Sequence, residues 1–264
     1  MKLATYQDGS RDGQLVVVSA DLTQAHHASG IATRLQQVLD DWNFLAPQLQ
    51  DLARTLEQGK ARHAFAFEPR LCLAPLPRVC RLVDAQPSLE VEMAGDALAG
   101  ARSVWPDTCT DVGARLVVAL GDVPRGAGED QARDAVRLVM LAHHGQHRAA
   151  GGAVAASLAC APVAVTPEAL GPAWHRGRLA MRLQTVVDGR VLAPVELAAA
   201  GGVSDAGGWI ARLARHRAVS AGTLLALPGG PARVALDGVG QVDTAVCDAL
   251  GQSVFGAVVQ RDRP

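Results

Sequence analysis

DVGARLVVALGDVP, residues 111–124, is the stretch from which the organisation of the chain can be worked out. Its side chains alternate with the two-residue period of a β-strand, so that Val112, Leu116 and Leu120 share one face and Arg115 lies on the other. The strand runs into a Gly-Asp-Val-Pro turn, whose residues favour a change of chain direction. We therefore predict a strand here, at the junction between a short first part of the chain and a longer β-rich part.

The composition is typical of a globular protein. Of the 264 residues, 49% are hydrophobic and 19% are charged. A formal net charge of −1 gives no electrostatic reason to expect a nucleic acid or an anionic membrane as partner. No apolar run reaches the roughly 18 residues of a membrane span, and the opening residues MKLATYQDGS lack the apolar region of a signal peptide. We expect a cytoplasmic protein that binds neither nucleic acid nor membrane.

The cysteines and histidines offer little support for a metal site. The five cysteines are scattered and form no Cys-x-x-Cys pair, so we expect most of them to be buried apolar side chains. His143, His144 and His147 invite a Zn²⁺ or Ni²⁺ hypothesis because imidazole suits both metals. However, His143 and His147 would share a face only on a helix, and the pattern here predicts a strand. Partly exposed histidines that bind no metal are the favoured interpretation.

The first part of the chain predicts a small α+β domain over residues 1–76. Residues 2–20 have the pattern of a β-hairpin. Ser29 is a candidate N-cap for a first helix, and a second helix is predicted to have Pro47 in its first turn and to end at Gly59.

The second part, residues 77–264, predicts a β-rich domain with short helices. A helix is expected at residues 126–136 and another at 207–217. The Asp188-Gly189 dipeptide, between two apolar runs, predicts a hairpin turn.

Several segments together resemble a known family. KLATYQDGSRDGQLVVVS, ATRLQQVLDDWNFLAPQLQDL, and KARHAF followed by APLPR are similar, almost position by position, to the N-terminal domain of one branch of the fumarylacetoacetate hydrolase family. With the C-terminal GQSVFGAVVQ, the close resemblance covers residues 1–78 and 252–260. It implies an α+β fold, in which a small N-terminal domain precedes a mixed β-sandwich roll, here with shortened loops. It also implies hydrolysis of a carbon–carbon bond in β-diketo acids with the help of Mg²⁺ or Mn²⁺.

The metal ligands that the resemblance implies are missing. In the family, the strand before the Gly-Asp-Val-Pro turn carries a Glu-x-Glu pair that binds the metal, and these positions are Gly113 and Arg115 here. The last ligand, an Asp after a Leu-Val-Met-Leu strand, falls on His144. Because an arginine repels a cation at short range, we expect no bound metal and no other cofactor.

The catalytic residues that the resemblance implies are missing as well. The family's His-Glu pair falls nearest to Val91 and Met93, and its catalytic Lys falls on Ala155. No lysine follows Lys60, so no shift of the alignment can restore it. The loops that cover the family's active site are also shortened, residues 100–111 among them.

Three hypotheses follow. The first is a pseudoenzyme of the family with a binding or assembly role, as a homodimer or as a hetero-oligomer with a paralogue. The second is a hydrolase or decarboxylase of β-diketo acids or acylpyruvates with a rebuilt site, a pocket formed by Arg115, His144 and Glu92. There His144 would bind a divalent metal together with Glu90, Glu92 or Asp111. The third is a metal-free decarboxylase or isomerase in which Arg115 binds a small carboxylate ligand.

Overall fold

The structure, a computed structural model, describes residues 1–85, 90–93, 98–105, 108–148, 154–197, 205–228 and 233–261. It has an α+β fold, dominated by sheet, as the sequence predicts. None of the helices in these ranges is long and apolar enough to cross a membrane.

The N-terminal part contains an antiparallel hairpin, two further strands and two helices. Its elements are β1 (Lys2–Tyr6), β2 (Gln14–Val18), β3 (Gln24–His27), α1 (Leu35–Asp40), α2 (Trp42–Glu57) and β4 (Phe65–Ala66). β1 and β2 pair as the predicted hairpin. Gly59, at φ +66°, follows the last turn of α2, so the predicted end of that helix is confirmed.

The predicted starts of both helices are wrong. The first helix begins at Leu35 and not after Ser29, and Pro47 lies inside α2 and not in its first turn. Trp42 and Leu45 pack against the core, and this contact extends the helix on the N-terminal side of Pro47. Packing of these two partly buried side chains offsets the backbone hydrogen bond that a proline cannot donate.

The second part of the chain continues with strands on either side of two helices. The first group is β5 (Leu82–Ala85), β6 (Glu90–Met93), β7 (Leu98–Ala99), β8 (Arg102–Val104), β9 (Cys109–Leu120), α3 (Glu129–Asp134), β10 (Val136–Arg148), β11 (Val154–Cys160) and β12 (Val163–Val165). The second group is β13 (Trp174–His175), β14 (Arg178–Leu179), β15 (Arg182–Val187), β16 (Arg190–Val191), β17 (Val195–Glu196), α4 (Ala206–Leu213), β18 (Leu224–Ala226), β19 (Arg233–Ala235), β20 (Gln241–Cys247) and β21 (Val258–Arg261).

Most of these strands form one large mixed sheet. Within the described ranges it has thirteen strands, with β4-β3-β2-β1-β12-β10-β9-β18-β5-β6 as its main path and β7, β11 and β19 attached to it. It is continuous across the predicted domain boundary at residue 76, because β1 pairs with β12. A second sheet has the order β16-β15-β20-β21-β8, with β17 paired to β15. The Asp188-Gly189 dipeptide forms the predicted turn between β15 and β16, with both residues at positive φ.

Alternate residues of the large sheet face two separate cores. On one face, Val117 and Met140 belong to the core between the sheet and the helices α1 and α2. On the other face, Val118 and Leu141 join the core that contains Ile210 of α4. Because both faces are covered, a polar side chain on the central strands is buried whichever way it points.

Candidate functional site

Strands β9 and β10 bring together the three positions at which the family's metal ligands are predicted. His144 of β10 is in register with Gly113 of β9, and Ala142 is in register with Arg115. Residues in register on paired strands point to the same face of the sheet. Gly113, Arg115 and His144 are therefore neighbours on the face that α1 and α2 cover.

A fourth residue, Asp84, joins this cluster from β5. Asp84 is in register with Ala226 of β18, which is in register with Val117 of β9. This places Asp84 on the same face as Arg115, and only 1% of its surface is exposed. The sequence reasoning missed this residue. The available signal was a carboxylate inside the apolar run LVDA, residues 82–85, because a buried charge needs a partner.

Arg115 provides the positive charge of the cluster. Its Nη2 lies 3.9 Å from Asp84 Oδ1, and its Nη1 donates a hydrogen bond of 3.1 Å to the carbonyl of Leu227. Burial lowers the pKa of Arg115, and the attraction of Asp84 opposes that shift. An arginine remains protonated at neutral pH, so the pair carries one positive and one negative charge. The guanidinium faces the protein interior and not the solvent, since its side chain is 12% exposed.

His144 completes the cluster on the other side of Asp84. Its Nε2 lies 3.0 Å from Asp84 Oδ2, and both residues are about 1% exposed. A carboxylate accepts hydrogen bonds, so this contact places the imidazole proton on Nε2 and leaves Nδ1 as an acceptor. Nδ1 is buried and has no hydrogen-bond partner among the described residues. We name Asp84, Arg115 and His144 the buried ion-pair cluster.

The other two histidines have polar partners, and all three are buried rather than partly exposed, contrary to the prediction. His143 Nδ1 lies 3.1 Å from Gln260 Oε1, and His147 Nε2 lies 2.7 Å from Ser157 Oγ. The exposed fractions are 1% for His143 and 8% for His147. The predicted strand runs from Val136 to Arg148 and carries all three histidines, which are buried because the sheet is covered on both faces.

Comparison with known proteins accounts for this architecture. The sequence model described as Fumarylacetoacetase N-terminal domain 2 matches residues 1–78. The maleylpyruvate hydrolase from Sphingobium sp. SYK-6, in complex with manganese(II) ion and pyruvate, is 15% identical over all of both chains, with a TM-score of 0.72. A fumarylacetoacetate hydrolase from Exiguobacterium antarcticum is 15% identical over 100% of this chain and 99% of its own, with a TM-score of 0.68. No curated protein matches the sequence.

This chain has the fumarylacetoacetate hydrolase fold. The fold also occurs in a 2-hydroxyhepta-2,4-diene-1,7-dioate isomerase from Mycobacterium marinum, which is 14% identical over 99% of this chain and 98% of its own, with a TM-score of 0.62. At these identities the solved structures establish the fold of the chain.

The residues present do not fit the divalent metal that the family implies. Gly113 has no ligand atom, and Arg115 brings a positive charge to the same face. At about 4 Å and an effective dielectric constant of 20, two unit charges interact by about 4 kcal/mol, and a divalent ion would be repelled more strongly. Among the described residues, no group of three or more His, Cys, Asp or Glu side chains could hold a metal ion.

Glu92 does not belong to the pocket in which the sequence placed it with Arg115 and His144. It is in register with Val83, whereas Val91 is in register with Asp84, so Glu92 points to the opposite face of the sheet. There it is exposed and forms ion pairs with Arg81 and Arg217. The prediction failed because strand alternation, unknown without the register, decides the face.

The remaining candidates are also accounted for. Asp111 lies on the face of Arg115, but it is bound by Arg233, whose Nε donates a hydrogen bond of 2.6 Å to it. Glu90 is in register with Ala85, and its side chain lies outside the described part of the structure. At the positions predicted for the family's catalytic residues, Val91 and Met93 lie on β6, and Ala155 lies on β11 in register with His147. Their side chains also lie outside the described part of the structure.

Proposed function

We propose that this protein is a fumarylacetoacetate hydrolase-type pseudoenzyme, which has lost metal-dependent carbon–carbon bond hydrolysis and has a binding or assembly role. The observation that carries the proposal is the pairing of Arg115, at a predicted metal position, with Asp84: the two charged groups are 3.9 Å apart, and their side chains are 12% and 1% exposed. The protein supplies its own cation there and balances it with its own carboxylate. No net negative charge is left to attract Mg²⁺ or Mn²⁺.

The chemistry of the family's reaction supports this proposal. A metal ion contributes several kcal/mol by polarising a carbonyl oxygen and holding the developing charge. The base that activates water contributes a further factor of about 10² to 10⁴. With Gly113, Arg115 and His144 at the ligand positions, and Val91, Met93 and Ala155 at the catalytic ones, neither contribution is available in the form that the family uses.

The binding role would be exercised by the folded scaffold, in the cytoplasm and without nucleic acid or membrane. We propose a homodimer or a hetero-oligomer with a catalytically active paralogue, since the overall fold is retained while the metal ligands are lost. Size-exclusion chromatography with light scattering measures the first, and co-purification with a tagged paralogue measures the second. A strictly monomeric protein that retains no paralogue would contradict the assembly role.

One observation favours a second candidate, a metal-free hydrolase or decarboxylase of acylpyruvate-type β-diketo acids. The Asp84–His144 hydrogen bond leaves Nδ1 of His144 as an unpaired acceptor, which is the arrangement of a general base. Arg115, whose side chain is 12% exposed, would then have to leave Asp84 and bind a substrate carboxylate. Burial of His144 and Asp84 at about 1% exposure weighs against this candidate.

The decisive experiment is a metal titration of the purified protein. Isothermal calorimetry and elemental analysis with Mg²⁺, Mn²⁺ and Zn²⁺ should detect no binding near unit stoichiometry. Oxalate, a mimic of the diketo group, should give no metal-dependent rise in melting temperature. A maleylpyruvate hydrolase of the same fold is the positive control. Metal at one ion per chain with metal-dependent oxalate binding would refute the pseudoenzyme, and metal-free turnover of acylpyruvate or oxaloacetate would favour the second candidate.

A further inference from the structure

A second cluster of reactive groups lies on the opposite face of β10 from the buried ion-pair cluster. Gly145 of β10 is in register with Val112 of β9 and with Ser157 of β11. Gly145 is the next residue after His144, so its row of partners points to the other side of the sheet. This row therefore belongs to neither the predicted metal positions nor the proposed pseudoenzyme site.

Three hydroxyl and imidazole groups form a hydrogen-bonded chain in this cluster. Ser157 Oγ lies 2.7 Å from His147 Nε2, and His147 Nδ1 lies 3.3 Å from Thr108 Oγ1. If Thr108 accepts the proton of Nδ1, Nε2 is left free to accept the proton of Ser157. A nucleophile, a base and a group that orients the base are thereby placed in order, as nucleophilic catalysis requires.

Burial and charge keep the imidazole in the form that a base needs. The pKa of His147 is lowered below its usual value, mainly by burial and to a smaller extent by the neighbouring His144. His147 is therefore neutral at pH 7. The thiol of Cys109 is the other nearby nucleophile, but burial raises its pKa, so it stays protonated and weakly reactive. Ser157 is partly exposed and therefore not sealed inside a core.

The glycine beneath the cluster shows how closely these groups converge. A Cβ added to Gly145 would lie 2.9 Å from Cys109 Sγ, 3.1 Å from Ser157 Oγ and 3.7 Å from His147 Nε2. Beside them, Val112 and Trp105 belong to a small buried apolar cluster against which Cys109 packs. The reactive groups thus converge close to the backbone of Gly145 and beside an apolar cluster, a setting that suits a compact acyl group such as acetyl.

We propose that Ser157 is a nucleophile activated by His147, and that this pair takes the acyl group from esters of small carboxylic acids. Ser157 Oγ attacks the ester carbonyl carbon as its proton passes to His147 Nε2. The new Oγ–C bond forms, the C–O bond to the leaving alcohol breaks, and His147 returns the proton to the leaving oxygen. Water then repeats the sequence and releases the acid. Thr108 acts as a positioning residue, because it contacts His147 and not the ester.

The test uses a fluorophosphonate probe and p-nitrophenyl acetate on the purified 264-residue chain. We expect covalent labelling at Ser157, located by peptide mass spectrometry. Release of p-nitrophenol should rise with pH to a plateau that is already reached at neutral pH, because burial lowers the pKa of His147. Ser157→Ala should abolish both signals. His147→Gln should slow both by about 10² or more. Thr108→Val should slow them less and shift the pH profile to lower pH, because the imidazolium form of His147 loses a hydrogen-bond acceptor.

The matched control is Ser103→Ala, which should leave labelling unchanged. Ser103 is also a strand serine, and it connects to a histidine only through Gln260, whose Nε2 donates a 3.2 Å hydrogen bond to its Oγ. Gly145→Ala, which crowds Ser157 without removing a reactive group, should reduce labelling. Unlabelled wild-type Ser157, labelling at Cys109 instead, or labelling that His147→Gln does not slow would each overturn the proposal. None of these readouts depends on metal binding, so the proposed function stands or fails separately.

Discussion

Arg115→Met is the substitution that tests the buried ion-pair cluster. It keeps most of the side-chain volume but removes the charge, leaving the carboxylate of Asp84 buried at 1% exposure with one cation fewer. It also removes the donor to the carbonyl of Leu227. Loss of one partner of a buried pair costs about 3–5 kcal/mol.

The lower end of that range applies here. The distance of 3.9 Å is long for an ion pair, and His144 still provides Asp84 with a hydrogen bond. We therefore expect the free energy of unfolding to fall by about 3 kcal/mol, which corresponds to a drop in melting temperature of roughly 6–12 °C for a chain of this size. Asp84→Asn should cost about as much, because it leaves the guanidinium without its counter-charge.

The double variant decides whether the two residues act as a pair. If they do, the double variant Asp84→Asn with Arg115→Met should lose about 4 kcal/mol of the free energy of unfolding. The sum of the two single losses is about 6 kcal/mol, so the coupling energy is about 2 kcal/mol. Urea unfolding at pH 7, followed by tryptophan fluorescence, measures all three variants. The exposed pair of Arg182 and Glu196, at 61% and 57% side-chain exposure, is the matched control, with an expected coupling below about 1 kcal/mol. Additive losses at Asp84 and Arg115 would refute the reasoning.

Three smaller perturbations check other parts of the structure. Burial lowers the pKa of His143 to about 4, so the unfolded chain, in which a histidine has a pKa near 6.5, takes up a proton first as the pH falls. Protonation of this residue should therefore remove about 3 kcal/mol of the free energy of unfolding between about pH 6.5 and pH 4. Urea unfolding should show that the stability of His143→Gln depends less on pH than that of the wild type. Ellman's reagent should modify the exposed Cys80 rapidly in the native protein, whereas Cys160 should react slowly because burial raises its pKa to about 12. Cys80→Ser should remove the fast phase of the reaction, and rapid loss of the Cys160 thiol would contradict its burial. Glu92→Gln should lower the free energy of unfolding by less than about 1 kcal/mol, because its ion pairs are exposed. A larger loss would contradict the placement of Glu92 on the surface.

Local patterns predicted much of this fold because they depend on neighbours in sequence. The alternation of residues 111–120 corresponds to β9, and the Asp188-Gly189 dipeptide corresponds to the turn before β16. The end of α2 at Gly59 was likewise predictable from a residue that tolerates positive φ. The helix starts were not, since Trp42 lengthens α2 through a contact with the core that no local pattern contains.

The sequence by itself determined which groups are absent from the predicted site. Gly113 has no side chain with which to bind a metal, Ala155 cannot replace a lysine, and no folding of the chain changes either fact. Only the tertiary structure decided what lies there instead. Asp84 reaches Arg115 and His144 across β18 and β9, and Glu92, eight residues later, points away from them. The reason is that a strand's pairing register is set by contacts between distant segments, and a shift of one residue exchanges the two faces.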